Sequence, residues 1–174
     1  MILLFCCWIP AVVSQPEVLF TATPDDVVEK ALDIVALSKD DTVYDLGCGD
    51  GRVLIRAAGR PGCKGYGVDL DDDPLRLARA AIAEAKLEHL VKVEKQDMFA
   101  TDLGPASVVY LYVLPSMLVK LRPQFARLRP GSRIISHDFP IKGYKPDKVV
   151  TYRAKSGYDH VLYMWIIPFQ KEKP

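Results

Sequence analysis

The sequence is short of the residues that staple or metallate a fold. Its 174 residues hold four cysteines, Cys6, Cys7, Cys48 and Cys63. None stands in a CxxC spacing or a Cys/His cluster, which excludes zinc-ribbon and zinc-finger patterns. Only Cys48 and Cys63 fall in the body of the chain, too few for a disulfide framework and consistent with a reducing compartment. The three histidines, His89, His137 and His160, are scattered along the chain and read as surface or core side chains. No metal is expected. Charge of one sign is also missing: 23 Lys and Arg stand against 22 Asp and Glu. A nucleic-acid binder would carry a basic excess, so nucleic acid is not an expected partner. The local run Lys120, Arg122, Arg127, Arg129 and Arg133 reads as a solvated helix face, with contact to RNA or an acidic partner as the sharper alternative. There is no internal repeat and no low-complexity segment. The length suits one domain with a single core, expected to be a monomer.

Charge is absent altogether from residues 1–16, MILLFCCWIPAVVSQP. The apolar stretch from Ile2 to Val13 is too short to span a bilayer as a helix. It resembles the apolar part of a secretory signal, with Val12 and Ser14 as small residues before a cleavage point, but it lacks a basic start. Residues 1–16 are therefore read as a signal-like leader or weak membrane tether, and 17–174 as the folded domain. A start codon set too far upstream, or an apolar tail packed on the domain, is the alternative.

What is present is alternation. A helix is expected from Thr23, capped by Thr23 with Pro24 in its first turn and a face of Val27, Val28, Ala31, Leu32 and Val35. Thr42 to Leu46 reads as a strand, 51–59 as a helix closed by Gly59, and Gly65 to Leu70 as a second strand. Asp73 is expected to cap the next helix, with Pro74 at its first position and a face of Leu77, Ala78, Ala81, Ile82 and Ala85. Val91 to Lys95 alternates apolar and charged residues. Ser107 to Val113 is almost wholly apolar, as for a central strand covered on both sides. A helix carrying Met117, Leu118, Leu121, Phe125 and Leu128 leads to a fifth strand, Arg133 to Ser136. Lys148 to Arg153 and His160 to Pro168 then read as a hairpin around Lys155-Ser156-Gly157. Strands alternating with helices make a doubly wound, mostly parallel Rossmann-like sheet. Closed by a C-terminal antiparallel hairpin, it resembles the plan of the seven-stranded methyltransferase fold.

The stretch VYDLGCGDGR joins the first strand to the following helix. Gly47, Gly49 and Gly51 permit positive φ and leave no Cβ in the way of a ligand. In doubly wound sheets, ligands sit at the carboxyl ends of the strands where strand order reverses. The dinucleotide fingerprint is G-x-G-x-x-G, which seats a pyrophosphate on a helix N-terminus. Here the spacing is one residue shorter, and Asp45 and Asp50 flank it. Two carboxylates repel a pyrophosphate and welcome a cation. S-adenosylmethionine (SAM) offers a sulfonium and an ammonium and has no phosphate. Asp69, ending the second strand, is placed to accept both ribose hydroxyls, with Leu70 beside it. After the third strand, Asp97 is placed to accept from the adenine amine and Met98 to pack on the ring. Cys48 reads as a small residue in the loop.

VYDLGCGDGR, GVDLD and QDMF resemble the first three motifs of class I SAM-dependent methyltransferases. The segments FTATP (20–24), LYVLPS (111–116), LRP (121–123) and SHDF (136–139) resemble a narrower family. It comprises bacterial single-domain enzymes and the mitochondrial lysine methyltransferases of the ATP synthase c subunit and the adenine nucleotide translocase. The resemblance spans roughly residues 18–168; the family pattern has a proline where this chain has Ala22. It implies SAM contacts from Asp45, Gly47, Gly49, Asp69 and Asp97, with Thr21 to Pro24 folded over the methionine end of the cofactor. It also implies methylation of a protein lysine; a small-molecule or RNA methyltransferase, or a non-catalytic SAM-binding protein, are the alternatives. Tyr110 and Tyr112 are the candidates for positioning the acceptor. They are expected on opposite faces of the fourth strand, so that at most one faces the cofactor. Asp138 reads as a turn cap before Pro140. Because SAM is a cytoplasmic metabolite, the cytoplasmic side is expected, with export through the leader as the alternative.

Overall fold

The structure is a computed structural model that describes residues 22–172. The leader, Cys6, Cys7 and Thr21 lie outside the described residues. Helix α1 (Asp25–Val35) buries Val27, Val28, Ala31, Leu32 and Val35 as its pattern requires. Its cap differs from expectation. Pro24 occupies the N-cap position, and the Thr23 hydroxyl turns inward to other partners. Asp25 and Asp26 in the first turn oppose the positive end of the helix dipole.

Strand β1 (Thr42–Leu46) leads through the glycine loop into α2 (Arg52–Gly59), and β2 (Lys64–Asp69) leads into α3 (Asp72–Glu84). Asp71, rather than Asp73, caps α3, accepting the amide of Asp73 at 3.0 Å. Consequently the buried face is Leu75, Ala78 and Ile82, while Leu77 and Ala85 face solvent. Three aspartates in a row each suit an N-cap, and the sequence alone does not choose among them. Strand β3 (Val91–Lys95) is followed by a single 3-10 turn at Met98–Ala100. Then come β4 (Val108–Leu111), α4 (Pro115–Phe125) and β5 (Arg133–His137). Leu128 is buried just beyond α4. Short strands β6 (Tyr144–Lys145) and β9 (Gln170–Lys171) pair as a separate ribbon that no sequence pattern announces. Between them lie β7 (Lys148–Arg153) and β8 (Asp159–Ile166).

Seven strands form one sheet in the order β3-β2-β1-β4-β5-β8-β7. The first five are parallel, and β8 runs antiparallel between β5 and β7. This is the expected doubly wound sheet with an antiparallel hairpin. Chain direction across the sheet reverses between β1 and β4, which opens a crevice at their carboxyl ends. Two apolar layers cover the sheet. One joins α1, α2 and α3 to Val43, Val108, Tyr110 and Ile135. The other joins α4 to Leu46, Val109, Leu111, Ile134 and Trp165.

The alternation along β4 corrects one expectation. Side chains two apart share a face of a strand. Tyr110 and Tyr112 therefore both lie on the α1–α3 side, and both reach the crevice.

No helix among the described residues is long and apolar enough to cross a membrane.

Candidate active site

A cavity of about 500 Å³ opens at the switch point. The glycine loop forms its floor. Gly47, Gly49 and Gly51 all have positive φ, at 83°, 52° and 76°. The backbone turns back so sharply that the amides of Gly47 and Cys48 both donate to the Val68 carbonyl. Gly51 serves packing rather than the cavity: a Cβ there would stand 3.1 Å from that of Ala78 on α3. A fourth glycine escaped the sequence reading. On Gly67 of β2 a Cβ would meet Cys48 Cβ and Sγ at 2.8 Å. That missing side chain lets the loop lie flat on the sheet. Cys48 lines the cavity but is almost wholly buried, and burial pushes its thiol pKa up, so it stays an un-ionised small side chain.

Four carboxylates line the cavity, Asp45, Asp50, Asp69 and Asp71, against a single guanidinium, Arg52. Their states differ. Asp50 is already paired with Arg52 at 2.6 Å, which holds its carboxyl below the usual range. It is therefore not a free anion. Arg52 also donates to the Thr23 carbonyl at 3.0 Å and ties residues 22–24 across the cavity, where Ala22 and Thr23 line it. Asp45 is the carboxyl with no counter-ion among the described residues. It is 3% exposed, has no hydrogen-bond partner among the described residues, and is pushed up to about 8 by burial, then by Asp69 and Asp50. A buried carboxylate facing a cavity is a strong attractant for a cation.

Asp69 is oriented by backbone. Its Oδ2 accepts the Gly49 amide at 2.9 Å, and its Oδ1 accepts the amides of Leu70 and Asp71. The glycine loop thus aims the carboxylate that a ribose would meet. Met98 and Leu70 line the cavity as expected. Asp97 does not: it is exposed and caps the 3-10 turn through the Phe99 amide at 2.8 Å. Its neighbour Gln96 lines the cavity in its place.

At the far end stand Thr23, Tyr110, Tyr112, Leu114 and Phe139. Tyr112 stacks on Phe139 with ring centroids 6.4 Å apart. Behind this wall lies a polar cluster that chain separation concealed. The Thr23 hydroxyl is 3.1 Å from both Tyr110 Oη and His137 Nδ1. His137 Nε2 is 2.8 Å from His160 Nδ1 and 3.2 Å from Asp138 Oδ2. Two histidines expected to be scattered are therefore in contact. Asp138 Oδ2 also lies 3.4 Å from His160 Nδ1, and its other oxygen accepts the Val161 amide. The basic run is dispersed as well. Arg133 pairs with Asp41, Arg122 stacks on Tyr144, and Arg127 and Arg129 reach Asp102 and the Pro105 carbonyl.

A reversed hairpin on a doubly wound sheet, with an acid-lined cavity over a short glycine loop, defines the class of SAM-dependent methyltransferases. Comparison with known proteins narrows this. Residues 45–148 match the family described as the ANTKMT methyltransferase domain. A protein-lysine N-methyltransferase of Saccharolobus islandicus is 36% identical over 155 residues, covering 87% of this chain and 95% of that protein. The mouse adenine nucleotide translocase lysine N-methyltransferase is 30% identical over 125 residues, and this chain spans only 54% of its length. Among solved structures, an RNA methyltransferase from Salinibacter ruber in complex with S-adenosyl-L-homocysteine is 40% identical. It superposes with a TM-score of 0.79 and covers 88% of this chain. The chain belongs to the ANTKMT methyltransferase domain family and is a SAM-dependent methyltransferase.

Proposed function

We propose that the acceptor is the ε-amine of a lysine in a protein. The observation that carries this reading is the charge of the cavity wall, four carboxylates and one guanidinium that is already paired. Such a wall draws in an ammonium and repels a phosphate backbone. Lysine methyltransferase relatives from an archaeon and from mouse agree with it.

The residues present fit SAM. Asp45 offers a buried carboxyl that ionises beside a cation, Asp69 an oriented carboxylate, and Gln96 and Met98 a partly apolar shelf. When bound, SAM supplies a methyl carbon on a positively charged sulfur, which a neutral nitrogen attacks in line. The work left to the chain is positioning and exclusion of water. Tyr112 and Phe139 make an aromatic wall that holds an arriving ammonium over ring faces. Desolvation there lowers the amine pKa and favours the neutral nucleophile.

The Salinibacter relative favours RNA as a second reading. The test is to incubate cell extract with the purified protein and SAM carrying a tritiated methyl group. Label that resists ribonuclease, yields to protease and is lost when lysines are blocked beforehand is the expected result. Label released by ribonuclease overturns the lysine acceptor.

A further inference from the structure

Methyl transfer to lysine has a requirement that the cavity wall alone does not meet. The amine arrives as an ammonium, and one proton must leave it before its lone pair is free. Attraction by carboxylates makes that loss harder, because nearby negative charge favours the protonated form. We propose that Tyr110, Thr23, His137 and His160 form a proton exit from the acceptor end of the cavity to the protein surface, with Asp138 as its electrostatic anchor. The inference rests on the lysine reading above.

The geometry is a continuous chain. Tyr110 lines the cavity, and its Oη is 3.1 Å from Thr23 Oγ1. Thr23 Oγ1 is in turn 3.1 Å from His137 Nδ1. His137 is fully buried, and its other nitrogen lies 2.8 Å from His160 Nδ1. The side chain of His160 is 14% exposed, so the chain ends at solvent. One set of donor directions satisfies every link of the relay and leaves His160 Nδ1 and Asp138 Oδ2, 3.4 Å apart, as two acceptors. Tyr110 donates to Thr23, Thr23 donates to His137 Nδ1, and His137 Nε2–H donates to His160 Nδ1. Each step moves one proton. The ammonium gives a proton to Tyr110 Oη as the phenolic proton passes to Thr23 Oγ1. The threonine proton then passes to His137 Nδ1, the Nε2 proton moves on to His160 Nδ1, and the His160 Nε2 proton leaves to water. The balance is one proton from ammonium to water with no change of oxidation state; His137 and His160 are left as the Nδ1–H tautomers and the hydroxyls of Thr23 and Tyr110 point back toward the cavity, so both rings and both hydroxyls must turn over before the next transfer.

The groups around His137 suit transit rather than storage. Asp138 follows it just past the end of β5, His160 faces it from β8, and the ring of Tyr112, just past β4, lies tilted against it with centroids 4.0 Å apart. Tyr110 reaches it through Thr23, and Asp45 pairs with Tyr110 across the sheet. Burial outweighs the pull of Asp138 and, with His160, pushes His137 down to about 4. It rests neutral, with a lone pair available on Nδ1, and Asp138 stabilises the imidazolium that forms in passing. Tyr110 is pushed up, chiefly by burial, so it relays a proton without resting as phenolate.

The test compares wild type with Thr23→Val, Thr23→Ser and His160→Asn at saturating SAM. Poly-L-lysine is the acceptor, and the pH runs from about 6.5 to 9.5. General acid–base transfer is worth about 10²–10⁴-fold, and bulk water offers a slower second route, so Thr23→Val should lose at least about tenfold in kcat at pH 7. The loss should shrink toward pH 9.5, where free amine becomes abundant, since the ordinary lysine pKa is about 10.4. Thr23→Ser should restore the rate, and His160→Asn should show a smaller loss with the same pH signature. A pH-independent loss in Thr23→Val that serine does not rescue means a packing role and overturns the relay. Nitrogen NMR of the wild-type protein gives an independent reading: the Nε2–H tautomer of His137 is expected. The Nδ1–H tautomer, or one zinc bound per chain at the two histidines, overturns the relay whatever the activity. If wild type labels poly-L-lysine at no pH and labels no protein in extract, the lysine reading falls and the relay with it.

Discussion

Asp69 and Asp45 sit on neighbouring strands, yet the fold puts them to different uses. Asp69 is already held by three backbone amides, so its orientation costs a ligand nothing. Removing it deletes a charged hydrogen-bond acceptor. Asp69→Ala should weaken SAM binding by about 1.5–3 kcal/mol in titration calorimetry, and unchanged affinity would remove Asp69 from the site. The Asp45 side chain has no hydrogen-bond partner among the described residues, and burial, then Asp69 and Asp50, push its pKa up to about 8 when the cavity has no cation. A bound cation lowers that value. SAM binding near neutral pH should therefore release a proton, and affinity should rise with pH until about 8. Calorimetry in buffers of different ionisation enthalpy reads the proton directly, and Asp45→Asn should abolish the release. The same shift has a cost for the ligand-free fold. A raised carboxyl pKa favours the protonated form, so stability falls as pH rises from the usual carboxylate range toward 8. Gly67 acts by absence: in Gly67→Ala the new Cβ would lie 2.8 Å from Cys48 Cβ. Overpacking of this kind costs about 1–3 kcal/mol, read as a lower urea midpoint, and it should weaken SAM binding by lifting the glycine loop. The glycine loop, Asp45 and Asp69 were legible because positive φ and charge are properties of single residues. Gly67 was not, since its role depends on Cys48 of the glycine loop and Leu54 of α2 packing onto it from elsewhere in the chain. Asp97 shows a similar ambiguity, because an acid after a strand caps a turn, as this one does, as readily as it binds a base.

At the level of elements, the register of helices and strands was easier to read than their ends. Apolar runs place β1, β4 and β5, and the 3.6 period places α1. The start of α3 was ambiguous because Asp71, Asp72 and Asp73 are equivalent as sequence and differ only in backbone conformation. Thr23 is the instructive case. A threonine before a proline reads as a cap, but its hydroxyl gains more from Tyr110 and His137 inside the protein. Arg133 shows how one side chain ties elements together. From β5 it reaches the carbonyls of Val35 and Ala36 at the end of α1 and the carboxylate of Asp41 ahead of β1. Asp41 also accepts from the Ser38 amide at 2.7 Å and the Ser107 hydroxyl at 2.6 Å. Burial pushes its pKa up, but Ser107, Ser38 and Arg133 outweigh that and hold it below the usual carboxylate range. Arg133→Met would leave a largely buried carboxylate without its cation and should cost about 1.5–3 kcal/mol at pH 7. A depressed pKa contributes stability above the unfolded value of about 4 that is lost as pH falls through the folded value. The gap between wild type and Arg133→Met in denaturant melts should therefore narrow below pH 4. A constant gap would assign the effect to packing alone.

For the whole molecule, the order of strands decides which residues meet. Alternating strands and helices followed by two adjacent strands already imply a reversed hairpin on a parallel sheet, and so a crevice between β1 and β4. Pairing partners further along the chain leave no such trace. His137 and His160 are 23 residues apart and touch only because β8 runs antiparallel beside β5. Strands β6 and β9, two residues each, are too short to carry a periodic signal. What the topology does fix is ligand choice. A cavity walled by carboxylates at the switch point should stabilise the fold only through ligands without phosphate. At a SAM or S-adenosylhomocysteine concentration of 100 times Kd, binding adds about 2.7 kcal/mol to stability. For a chain of this size that raises Tm by roughly 5–10 °C. NADH at millimolar concentration should leave Tm where it is. A rise in Tm with NADH and none with either adenosyl compound would reverse the electrostatic assignment of the cavity, since the same four carboxylates cannot repel a pyrophosphate and be stabilised by one.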